Sequence, residues 1–508
     1  MPLRVAFIAA ECEPWAKTGG LGDVVDALAR ALASTPAEAL ETPVDVFLPR
    51  YRGLEVPSDR LLGSQTIRVP DPHRDGTATT PVEIIDVRAD GYRLRLVDHP
   101  ASFDRAGYYG DEAGDFPDNA ARFGLFCRAA VGVLRAERRM PDVLHLHDWH
   151  AAPAIRYAPA AGHAQAVGHA PAGTLPPAIL LTVHNLAYHG WTPPDRVHEL
   201  GEEWTSITAP SEGVDLLRAA IQGADLINTV SPGFASEALT AAFGMGLDGD
   251  LRGRGDRFFG ILNGLDTDLW NPATDSVLAA PYGRRDRKGM AACRADLLTR
   301  LGMDPADDGP VLGMIGRLDP QKGFDLLAEA APRLLADGVR LVVQGSGPPD
   351  LVGSLRRLAA THADRVALIE RFDRDMARRI YAGADGFLMP SRFEPCGTGQ
   401  MVSLRYGTPP IVHATGGLAD TVIDEPTNPG SGTGFVFRDA TADDLVRACR
   451  AFVARHGAGG QPWEALLDRG MAVDFDWRTA SAPAYVAAYR RAIELKAAPA
   501  PVIEPRLG

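Results

Sequence analysis

The fold class is indicated by the stretch Val5-Ala6-Phe7-Ile8-Ala9-Ala10 and by the loop Lys17-Thr18-Gly19-Gly20-Leu21-Gly22-Asp23 that follows it. A continuous apolar run of this length is typical of a strand buried on both faces of a parallel sheet. Beyond the glycine-rich loop, apolar residues recur at helical spacing over residues 24–32. A strand, a glycine-rich loop and a helix in this order begin a Rossmann-like unit. The sequence therefore predicts an α/β domain at the N-terminus.

The same order of strand, loop and helix recurs along the rest of the chain. A polar, charged stretch around residues 270–310 divides these repeats into two series, which predicts two doubly wound, Rossmann-like α/β domains of similar size. Ligands of such sheets bind at the carboxyl ends of the strands, so a cleft that both domains face is the expected site. The further predicted strands are residues 143–146, 178–183 and 226–230 in the first series and 311–316, 341–343, 386–389 and 411–412 in the second.

Residues 64–100 show a different pattern. Residues 66–69 and 92–96 alternate between polar and apolar side chains, and Asp90-Gly91 is a strong hairpin-turn signal. We interpret this region as an antiparallel β-hairpin inserted into the first domain. The segment between Pro159 and Pro177, rich in Ala, Gly, Pro and His, is interpreted as a surface loop.

The composition argues against several functional classes. The 508 residues are 45% hydrophobic and 23% charged, as in ordinary globular proteins. A net charge of −13 argues against nucleic-acid binding, which needs a basic surface. The five cysteines form no C-x-x-C pair, and no stretch approaches the roughly 18 apolar residues of a membrane helix. We expect a cytoplasmic protein without nucleic-acid or membrane partners.

Cationic side chains lie in the glycine-containing loops of both predicted domains. Lys17 lies in the first loop, and Arg317 and Lys322 lie in the loop that precedes Gly323. Backbone N–H groups at a helix start attract anions, so these loops and cations together would suit a diphosphate. The alternative is that the glycines only form tight turns and the cations face solvent. Neither a G-x-G-x-x-G after the first strand nor a Walker lysine loop is present, which leaves a nicotinamide dinucleotide site without support.

Two sets of residues suggest metal binding, each with a competing interpretation. His145-Leu146-His147-Asp148-Trp149-His150 is similar to a zinc-hydrolase H-x-H-x-D-H pattern, but the aspartate comes one position early and Trp149 interrupts it. The alternative is an active-site loop that hydrogen-bonds a polyol, with the face of Trp149 against a sugar ring. Asp248-Gly249-Asp250 and Asp266-Thr267-Asp268 have the D-x-D form of metal-dependent sugar transferases, but their context favours turn and cap roles.

The loop Ser391-Arg392-Phe393-Glu394-Pro395-Cys396-Gly397 follows a predicted strand and precedes a predicted helix. A thiol at a helix start has a lowered pKa, which makes Cys396 a candidate nucleophile. No histidine partner is identifiable nearby in the sequence. The alternative is that the Glu394 carboxylate and the neighbouring amides bind a ligand that carries both hydroxyl and phosphate groups.

These loops belong to a larger set of stretches spread over nearly the whole chain: Lys17-Thr18-Gly19-Gly20-Leu21, His147-Asp148-Trp149-His150, Thr182-Val183-His184-Asn185-Leu186-Ala187-Tyr188, Ile261-Leu262-Asn263-Gly264, the loop from Gly316 to Gly323, and Ser391 to Gly397. In sequence and in order, the set resembles the motifs of bacterial glycogen synthases and plant starch synthases. The resemblance implies a GT-B fold and a retaining glucosyltransferase. Such an enzyme transfers glucose from ADP-glucose to the non-reducing 4-hydroxyl of an α-1,4-glucan such as glycogen.

The resemblance also implies donor-binding roles. Lys17, Gly19 and Gly20 would contact the donor, and Arg317 with Lys322 would hold its diphosphate. No metal or other cofactor is expected, because protein cations would replace a metal at the diphosphate.

Further roles follow from the second-domain motif. Glu394 would hydrogen-bond the sugar hydroxyls, and the amides of Cys396, Gly397 and Thr398 would approach phosphate. Asn263 would lie in the cleft.

On the acceptor side, the resemblance places His184 near the anomeric carbon and Asp148 beside the acceptor. The implied domains are residues 1–265 for the acceptor side, 266–480 for the donor side, and 481–508 for a helix that crosses back to the first domain and a loose tail.

The chain departs from the family pattern at two places. Thr398-Gly399 replaces the usual Leu-Thr, and His189 replaces a common Gln. We expect Gly399→Thr to raise donor affinity modestly.

Two rival functions remain open. The first is that of a related enzyme of the same architecture, either another GT-B glucosyltransferase or a glucan phosphorylase with a lysine-bound pyridoxal phosphate. The second is that of a zinc-dependent hydrolase.

Overall fold

The computed structural model describes residues 2–72, 78–158 and 176–497. The chain divides into two units. The first contains the described residues up to Val230, Ala235–Ile261 and the residues from Trp477 onward; the second contains Ser231–Phe234 and Leu262–Asp476. Most of the predicted loop between residues 159 and 177, and the predicted tail beyond residue 497, lie outside the described residues.

The first unit is built on a nine-stranded sheet with the order β9-β8-β7-β6-β1-β2-β5-β4-β3. All pairs from β9 to β5 are parallel. The apolar run that starts the chain is central strand β1, and it is fully buried, as predicted. In chain order the strands are β1 (Val5–Ile8), β2 (Val44–Pro49), β3 (Leu61–Pro70), β4 (Thr79–Arg88), β5 (Tyr92–Asp98), β6 (Val143–His147), β7 (Ala178–Val183), β8 (Leu226–Thr229) and β9 (Phe258–Gly260).

The antiparallel part of this sheet differs in pairing from the predicted hairpin. The two alternating segments are β3 and β5, but β4 lies between them and pairs antiparallel with both. The Asp90-Gly91 turn joins β4 to β5, with Gly91 at φ +90°. The alternating pattern thus located the strands and the turn, but it could not identify the pairing partner. Strand β5 also pairs parallel with β2, which joins the antiparallel part directly to the parallel sheet.

The second unit contains a six-stranded, fully parallel sheet with the order β12-β11-β10-β13-β14-β15. The four strands predicted in this part of the sequence are present as β10, β11, β13 and β14. The outer strands β12 and β15 were not predicted, because they are short and only partly buried. The strands are β10 (Val311–Ile315), β11 (Arg340–Gln344), β12 (Val366–Ile369), β13 (Gly386–Met389), β14 (Pro410–His413) and β15 (Phe435–Phe437).

Helices connect the parallel strands in both units, as crossover connections require. The C-terminal helix belongs to the first unit and contacts β6, β7 and β8. Among the described residues, no helix combines the length and the apolar character that a membrane crossing requires. The α-helices of eight or more residues are Gly20–Leu32, Asn119–Ala136, Leu216–Gly223 and Ala482–Ala497 in the first unit, and Gly289–Arg300, Phe324–Ala336, Pro349–Thr361, Arg374–Gly383, Ala442–Ala458 and Gly460–Ala472 in the second. Shorter helical segments are Pro100–Phe103, Asp148–Ala151, Ala154–Tyr157, Pro194–Leu200, Glu202–Thr205, Pro232–Ala238, Asp248–Arg254, Gly255–Arg257, Pro320–Lys322, Gly399–Arg405, Gly416–Thr421 and Trp477–Ser481.

The strand order brings the candidate residues of each unit to one edge of its sheet. In the first unit β1, β6 and β7 are neighbours, so the glycine loop, Asp148 and His184 follow three adjacent carboxyl ends. In the second unit the loops that contain Arg317, Lys322 and Glu394 follow the adjacent strands β10 and β13.

We expect Gly91→Ala to destabilise the protein more than Gly53→Ala. Both glycines have positive φ, +90° and +78°, so alanine costs about 1–2 kcal/mol at either position. A Cβ at Gly91 would also lie 3.0 Å from Ala33 Cβ, whereas a Cβ at Gly53 would meet nothing within 4 Å. Thermal unfolding of the two variants measures the difference. Equal loss of stability would show that the turn accommodates the added methyl group.

Candidate active site

Glu11 organises the glycine loop of the first unit. Its carboxylate is only 3% exposed and accepts hydrogen bonds from the Thr18 N–H at 2.7 Å, the Thr18 hydroxyl at 2.6 Å and the Gly19 N–H at 3.0 Å. The Tyr109 hydroxyl also donates to it, at 2.7 Å. Two amides of this loop are therefore already occupied by the protein, so the expected phosphate cradle does not extend to Thr18 and Gly19.

Lys17, Gly19 and Gly20 lie in the same loop. The Lys17 ammonium lies 2.5 Å from Asp23 and 3.4 Å from Glu13, and the side chain is about one-third exposed. A Cβ at Gly19 or Gly20 would meet no atom within 4 Å. Neither glycine has positive φ, so nothing among the described residues requires a residue without a side chain at these two positions.

Asp148 has an unusual backbone and an unusual carboxyl group. Its φ is +57°, a conformation that few residues other than glycine adopt. The buried carboxylate accepts the His184 N–H at 2.7 Å through Oδ1. Burial, with a smaller contribution from the negative charge of Glu11, raises the pKa of Asp148 to about 7. Strained backbone and a perturbed carboxyl in one residue are typical of functional sites.

His184 is held by a second imidazole. Its Nε2 lies 3.1 Å from His147 Nδ1, and the ring of His147 contacts that of His145 at an angle of 35°, with centroids 4.1 Å apart. Burial lowers the pKa of His184 to about 3, although part of the residue remains exposed, and holds the pKa values of His145 and His147 well below their usual range. All three imidazoles are therefore neutral near pH 7.

The histidine-rich segment does not have the geometry of a metal site. His145 uses both ring nitrogens for hydrogen bonds, to Tyr489 and Thr182, and His147 bonds to His184. Over residues 2–72, 78–158 and 176–497, no group of three or more His, Cys, Asp or Glu side chains is arranged to hold a metal ion. The zinc-hydrolase hypothesis therefore has no support from the described residues.

Trp149 does not present a face to a sugar, which corrects that expectation. The side chain is buried, with its ring 4.0 Å from His150 and 5.2 Å from Phe123. A Cβ at Gly190, where φ is +67°, would lie 2.3 Å from the indole. The indole instead packs against the backbone of the segment that follows His184.

The D-x-D segments act as turn and cap residues, as expected. Asp266 Oδ1 accepts the N–H groups of Asp268 and Leu269 at 3.1 and 3.0 Å. Asp250 lies in the first turn of helix Asp248–Arg254 and accepts a hydrogen bond from Gln222.

In the second unit, the loops after β10, β11, β13 and β14 pack closely against one another. Gly323 has φ +77°, and a Cβ there would lie 2.2 Å from the Pro390 carbonyl oxygen. A Cβ at Gly416, with φ +42°, would lie 2.1 Å from the Glu394 carbonyl oxygen. These glycines allow the backbones to approach where any side chain would separate them.

Lys322 and Glu394 form a largely buried ion pair at this edge. The ammonium lies 2.6 Å from Glu394 Oε2, which also accepts the Ser391 hydroxyl at 3.0 Å, and Glu394 is 6% exposed. Its other oxygen, Oε1, has no hydrogen-bond partner among the described residues. The Arg317 side chain is 70% exposed, and within the described chain its one ion pair is with Asp319 at 3.4 Å.

Cys396 is not an activated nucleophile. The thiol is buried, and this burial raises its pKa to about 12. It hydrogen-bonds to the backbone of Asn263, which places the two residues together. The buried Oδ1 of Asn263 has no hydrogen-bond partner in the described structure. Nor do the N–H groups of Cys396, Gly397 and Thr398 have acceptors among the described residues.

Comparisons with known proteins match this chain over both units. A starch synthase catalytic domain family matches residues 4–253, and a group 1 glycosyl transferase family matches residues 309–455. A glycogen synthase of Anaeromyxobacter sp. is 42% identical over 96% of this chain and 99% of its own length. The chain belongs to the glycogen and starch synthase family. A glycogen synthase of Koribacter versatilis is 39% identical over 98% of this chain and 100% of its own.

Two solved structures are also similar. The catalytic domain of starch synthase IV from Arabidopsis thaliana, bound to ADP and acarbose, has a TM-score of 0.83 and 32% identity, covering 97% of this chain and 100% of that one. A sucrose-phosphate synthase from Thermosynechococcus elongatus, at 19% identity and a TM-score of 0.58, shares the fold. These matches confirm the predicted family, its GT-B fold class, and its function as a glycosyltransferase that makes glycogen or starch.

The structure shows a contact that accounts for His189, one of the two departures from the family pattern, and shows crowding at Gly399, the other. His189 Nδ1 lies 2.7 Å from Asp215, which caps the helix Leu216–Gly223, so His189 ties the segment after His184 to that helix. Gly399 is the first residue of its helix, and a Cβ there would lie 3.1–3.3 Å from three side chains. The expected benefit of Gly399→Thr therefore requires those side chains to move.

Sequence reasoning missed three residues at these edges. Glu11 and Tyr109 were not singled out, because a lone acid after a strand and an aromatic in a loop have many structural roles. Phe372 was also missed, because the strand β12 that precedes its loop was not predicted. It is 73% exposed, more than any other large apolar side chain in the described chain.

We expect Asp148→Asn to stabilise the protein at high pH. The folded pKa of about 7 exceeds the ordinary 3.8, so the wild type loses stability as pH rises from about 4 through 7, whereas asparagine stays neutral. Asparagine keeps the acceptor for the His184 N–H and tolerates positive φ. The stability difference should grow between about pH 5 and about pH 8, by about 1–3 kcal/mol. Denaturant unfolding of both proteins at each pH measures it, and a pH-independent difference would contradict the raised pKa.

Proposed function

We propose that this chain transfers glucose from ADP-glucose to the non-reducing 4-hydroxyl of an α-1,4-glucan such as glycogen, with retention of configuration. The observation that carries the proposal is the convergence of Lys322, Glu394 and Arg317 at the carboxyl edge of the second sheet. A diphosphate needs cations and amide donors, and a sugar needs a carboxylate that accepts hydroxyl groups. This edge supplies both.

On the donor side, Arg317 is the cation most available to a diphosphate, because it is exposed and only loosely paired. Lys322 supplies a second charge beside it. The amides of Cys396, Gly397 and Thr398 provide further donors, since the described protein leaves them without acceptors. In the first unit, Lys17, Gly19 and Gly20 would contact the donor, since a backbone without side chains at the two glycines lets a ligand come close.

Two further groups would bind the sugar. Glu394 Oε1 accepts a hydroxyl of the glucose, while Lys322 and Ser391 hold Oε2 in place. Asn263 Oδ1, buried and without a partner among the described residues, is available to a second donor on the ligand. A buried acceptor left unpaired costs free energy, so a ligand that pairs it gains affinity.

The nucleoside base would stack on Phe372. This residue lies in the loop that follows β12, and that loop is joined to the end of β11 by the Gln344 side-chain amide, which donates to the Asp373 carbonyl at 2.7 Å. The loop after β11 contains Gly345, Ser346 and Gly347. An exposed aromatic ring at the carboxyl edge of a doubly wound sheet suits a flat base, because every base has a π-face.

In the first unit, His184 and Asp148 would act on the sugar and on the acceptor. The neutral imidazole of His184 can hydrogen-bond a glucose hydroxyl without adding a positive charge near the anomeric carbon. The carboxylate of Asp148, ionised above its pKa of about 7, accepts a hydrogen bond from an acceptor hydroxyl.

The chemistry breaks the bond between the anomeric carbon and the diphosphate and forms one to the acceptor oxygen. The transition state resembles an oxocarbenium ion, and negative charge accumulates on the departing ADP. Glu394 is not the proposed nucleophile, because its Oε2 is engaged by Lys322 and Ser391 and its Oε1 accepts a sugar hydroxyl. We therefore propose transfer on the front face, with the acceptor proton passing to the leaving-group oxygen. Arg317 and Lys322 stabilise the developing charge.

The proposed location is the cytoplasm. All five cysteines are free and buried, which fits a reducing compartment.

The deciding experiment offers the purified protein ADP-glucose or UDP-glucose together with glycogen. We expect chain extension with ADP-glucose, and proton NMR of the product should show α-linked glucose. Extension from UDP-glucose alone would overturn the donor assignment. Release of glucose 1-phosphate with phosphate and glycogen, accompanied by pyridoxal absorbance, would identify a phosphorylase instead.

We expect Arg317→Ala to lower kcat by roughly a hundredfold to a thousandfold, the effect of removing one donor that stabilises developing negative charge. Glycogen binding should change little. The exposed ion pair between Arg317 and Asp319 contributes little to stability, so the variant should fold normally. Arg333→Ala is the matched control, since Arg333 has an exposed pair with Asp443 in the same unit. Lys322→Ala should also lose activity, but it leaves the Glu394 charge unpaired and lowers stability as well. Normal turnover of Arg317→Ala would remove Arg317 from the mechanism.

We expect Phe372→Ala to raise the KM for ADP-glucose about tenfold, the effect of losing one stacked base. The KM for glycogen should not change. The exposed residue contributes little to folding, and Leu269→Ala, which truncates another exposed apolar side chain of the same unit, is the control. A rise in the glycogen KM instead would place Phe372 on the acceptor.

A further inference from the structure

A fully buried polar network lies beneath His184 in the first unit. The Tyr489 hydroxyl lies 3.1 Å from His145 Nδ1, and His145 Nε2 lies 2.6 Å from the Thr182 hydroxyl. Thr182 is in turn 2.8 Å from Asn228 Oδ1. We call Tyr489, His145, Thr182 and Asn228 the imidazole network. It connects the C-terminal helix Ala482–Ala497 to the strands that precede the candidate loops.

The hydrogen positions in this network follow from donor and acceptor chemistry. The Asn228 amide nitrogen donates to the Thr229 carbonyl at 3.3 Å, so Oδ1 faces Thr182 and can only accept. The Thr182 hydroxyl therefore donates to Asn228, and its oxygen accepts the Nε2–H of His145. His145 is neutral, so its Nδ1 has no proton and accepts the Tyr489 O–H. The hydrogen bonds of the imidazole network therefore all run in one direction, from the Tyr489 hydroxyl to Asn228 Oδ1.

His147 connects this network to His184. Its ring contacts that of His145 and also that of Phe7, the latter with centroids 5.3 Å apart. Its Nδ1 lies 3.1 Å from His184 Nε2. The other nitrogen, Nε2, is buried and has no hydrogen-bond partner in the described structure. An unpaired buried nitrogen is destabilising, and an apolar residue of similar size would avoid it. The hydrogen bond that His147 does make is the one between its Nδ1 and His184 Nε2.

We propose that His147 is a positioning residue for His184, and that the C-terminal helix, through Tyr489 and the imidazole network, holds both imidazoles in a single orientation toward the sugar. This inference rests on the proposed function, because it assigns a purpose to the orientation of His184. A merely structural network would support folding alone, and its loss would lower activity and stability together.

The test compares His147→Leu with His147→Asn. Leucine fills the space and removes the unpaired nitrogen, but it cannot hold His184. Asparagine places a polar atom near the position of Nδ1. We expect His147→Leu to melt no lower than the wild type while kcat falls at least about tenfold, with both KM values within about twofold. His147→Asn should recover most of that loss. A fall in melting temperature that matches the loss of activity, or equal activity in both variants, would overturn the proposal.

A second pair of variants tests the helix. Tyr489→Phe removes only the hydroxyl that donates to His145, and we expect a severalfold fall in kcat without a change in either KM. Tyr157→Phe is the control, because its buried hydroxyl donates to the Leu200 carbonyl and does not contact the imidazoles. Equal kcat values in these two variants would exclude the helix from positioning His184.

Nitrogen-15 NMR of the histidine rings provides a readout that needs no substrate. We expect His145 protonated at Nε2 in the wild type and a mixture of tautomers in Tyr489→Phe. A wild-type His145 protonated at Nδ1 would overturn the network itself. Absence of glucose transfer by the wild type would instead overturn the proposed function, so the two failures are distinguishable.

Discussion

Parallel hydrogen bonding between adjacent strands is the constraint on which the rest of this structure depends. Because strands β1, β6 and β7 run in the same direction, their carboxyl ends lie at one edge of the first sheet. The glycine loop, Asp148 and His184 come together at that edge. The same rule assembles the loops after β10, β11, β13 and β14 in the second unit. The strands themselves are buried and mostly apolar, so the side chains proposed to contact a ligand lie in the loops.

Burial at these edges then sets the charge of the candidate groups. The same desolvation raises the pKa of Asp148 to about 7 and lowers that of His184 to about 3, since it disfavours the charged form of both. It also raises the pKa of Cys396 to about 12, which removes a nucleophile that the sequence had suggested. In the second unit, the charges of Lys322 and the buried Glu394 neutralise each other in an ion pair.

Several of these features lower the stability of the folded protein, and we attribute them to activity rather than to folding. Asp148 has a positive φ and a buried carboxyl, and His147 keeps a buried nitrogen with no hydrogen-bond partner among the described residues. Asn263 Oδ1 is in the same condition. Sites of this kind are retained where activity depends on them, because the folded chain would be more stable without them. Their grouping at the carboxyl edges agrees with a sugar-transfer site.

The amino-acid sequence by itself determined the α/β class, most of the buried strands of the parallel sheets, the Asp90-Gly91 turn and the family, because these depend on apolar runs, turn residues and local motifs. Only the tertiary structure decided that β4 separates β3 from β5, that Trp149 is buried beneath Gly190, that Glu11 occupies the glycine-loop amides and that Tyr489 contacts His145. These facts depend on which distant segments meet, and on how much water each group loses when they do. Neither quantity can be read from neighbouring residues along the chain.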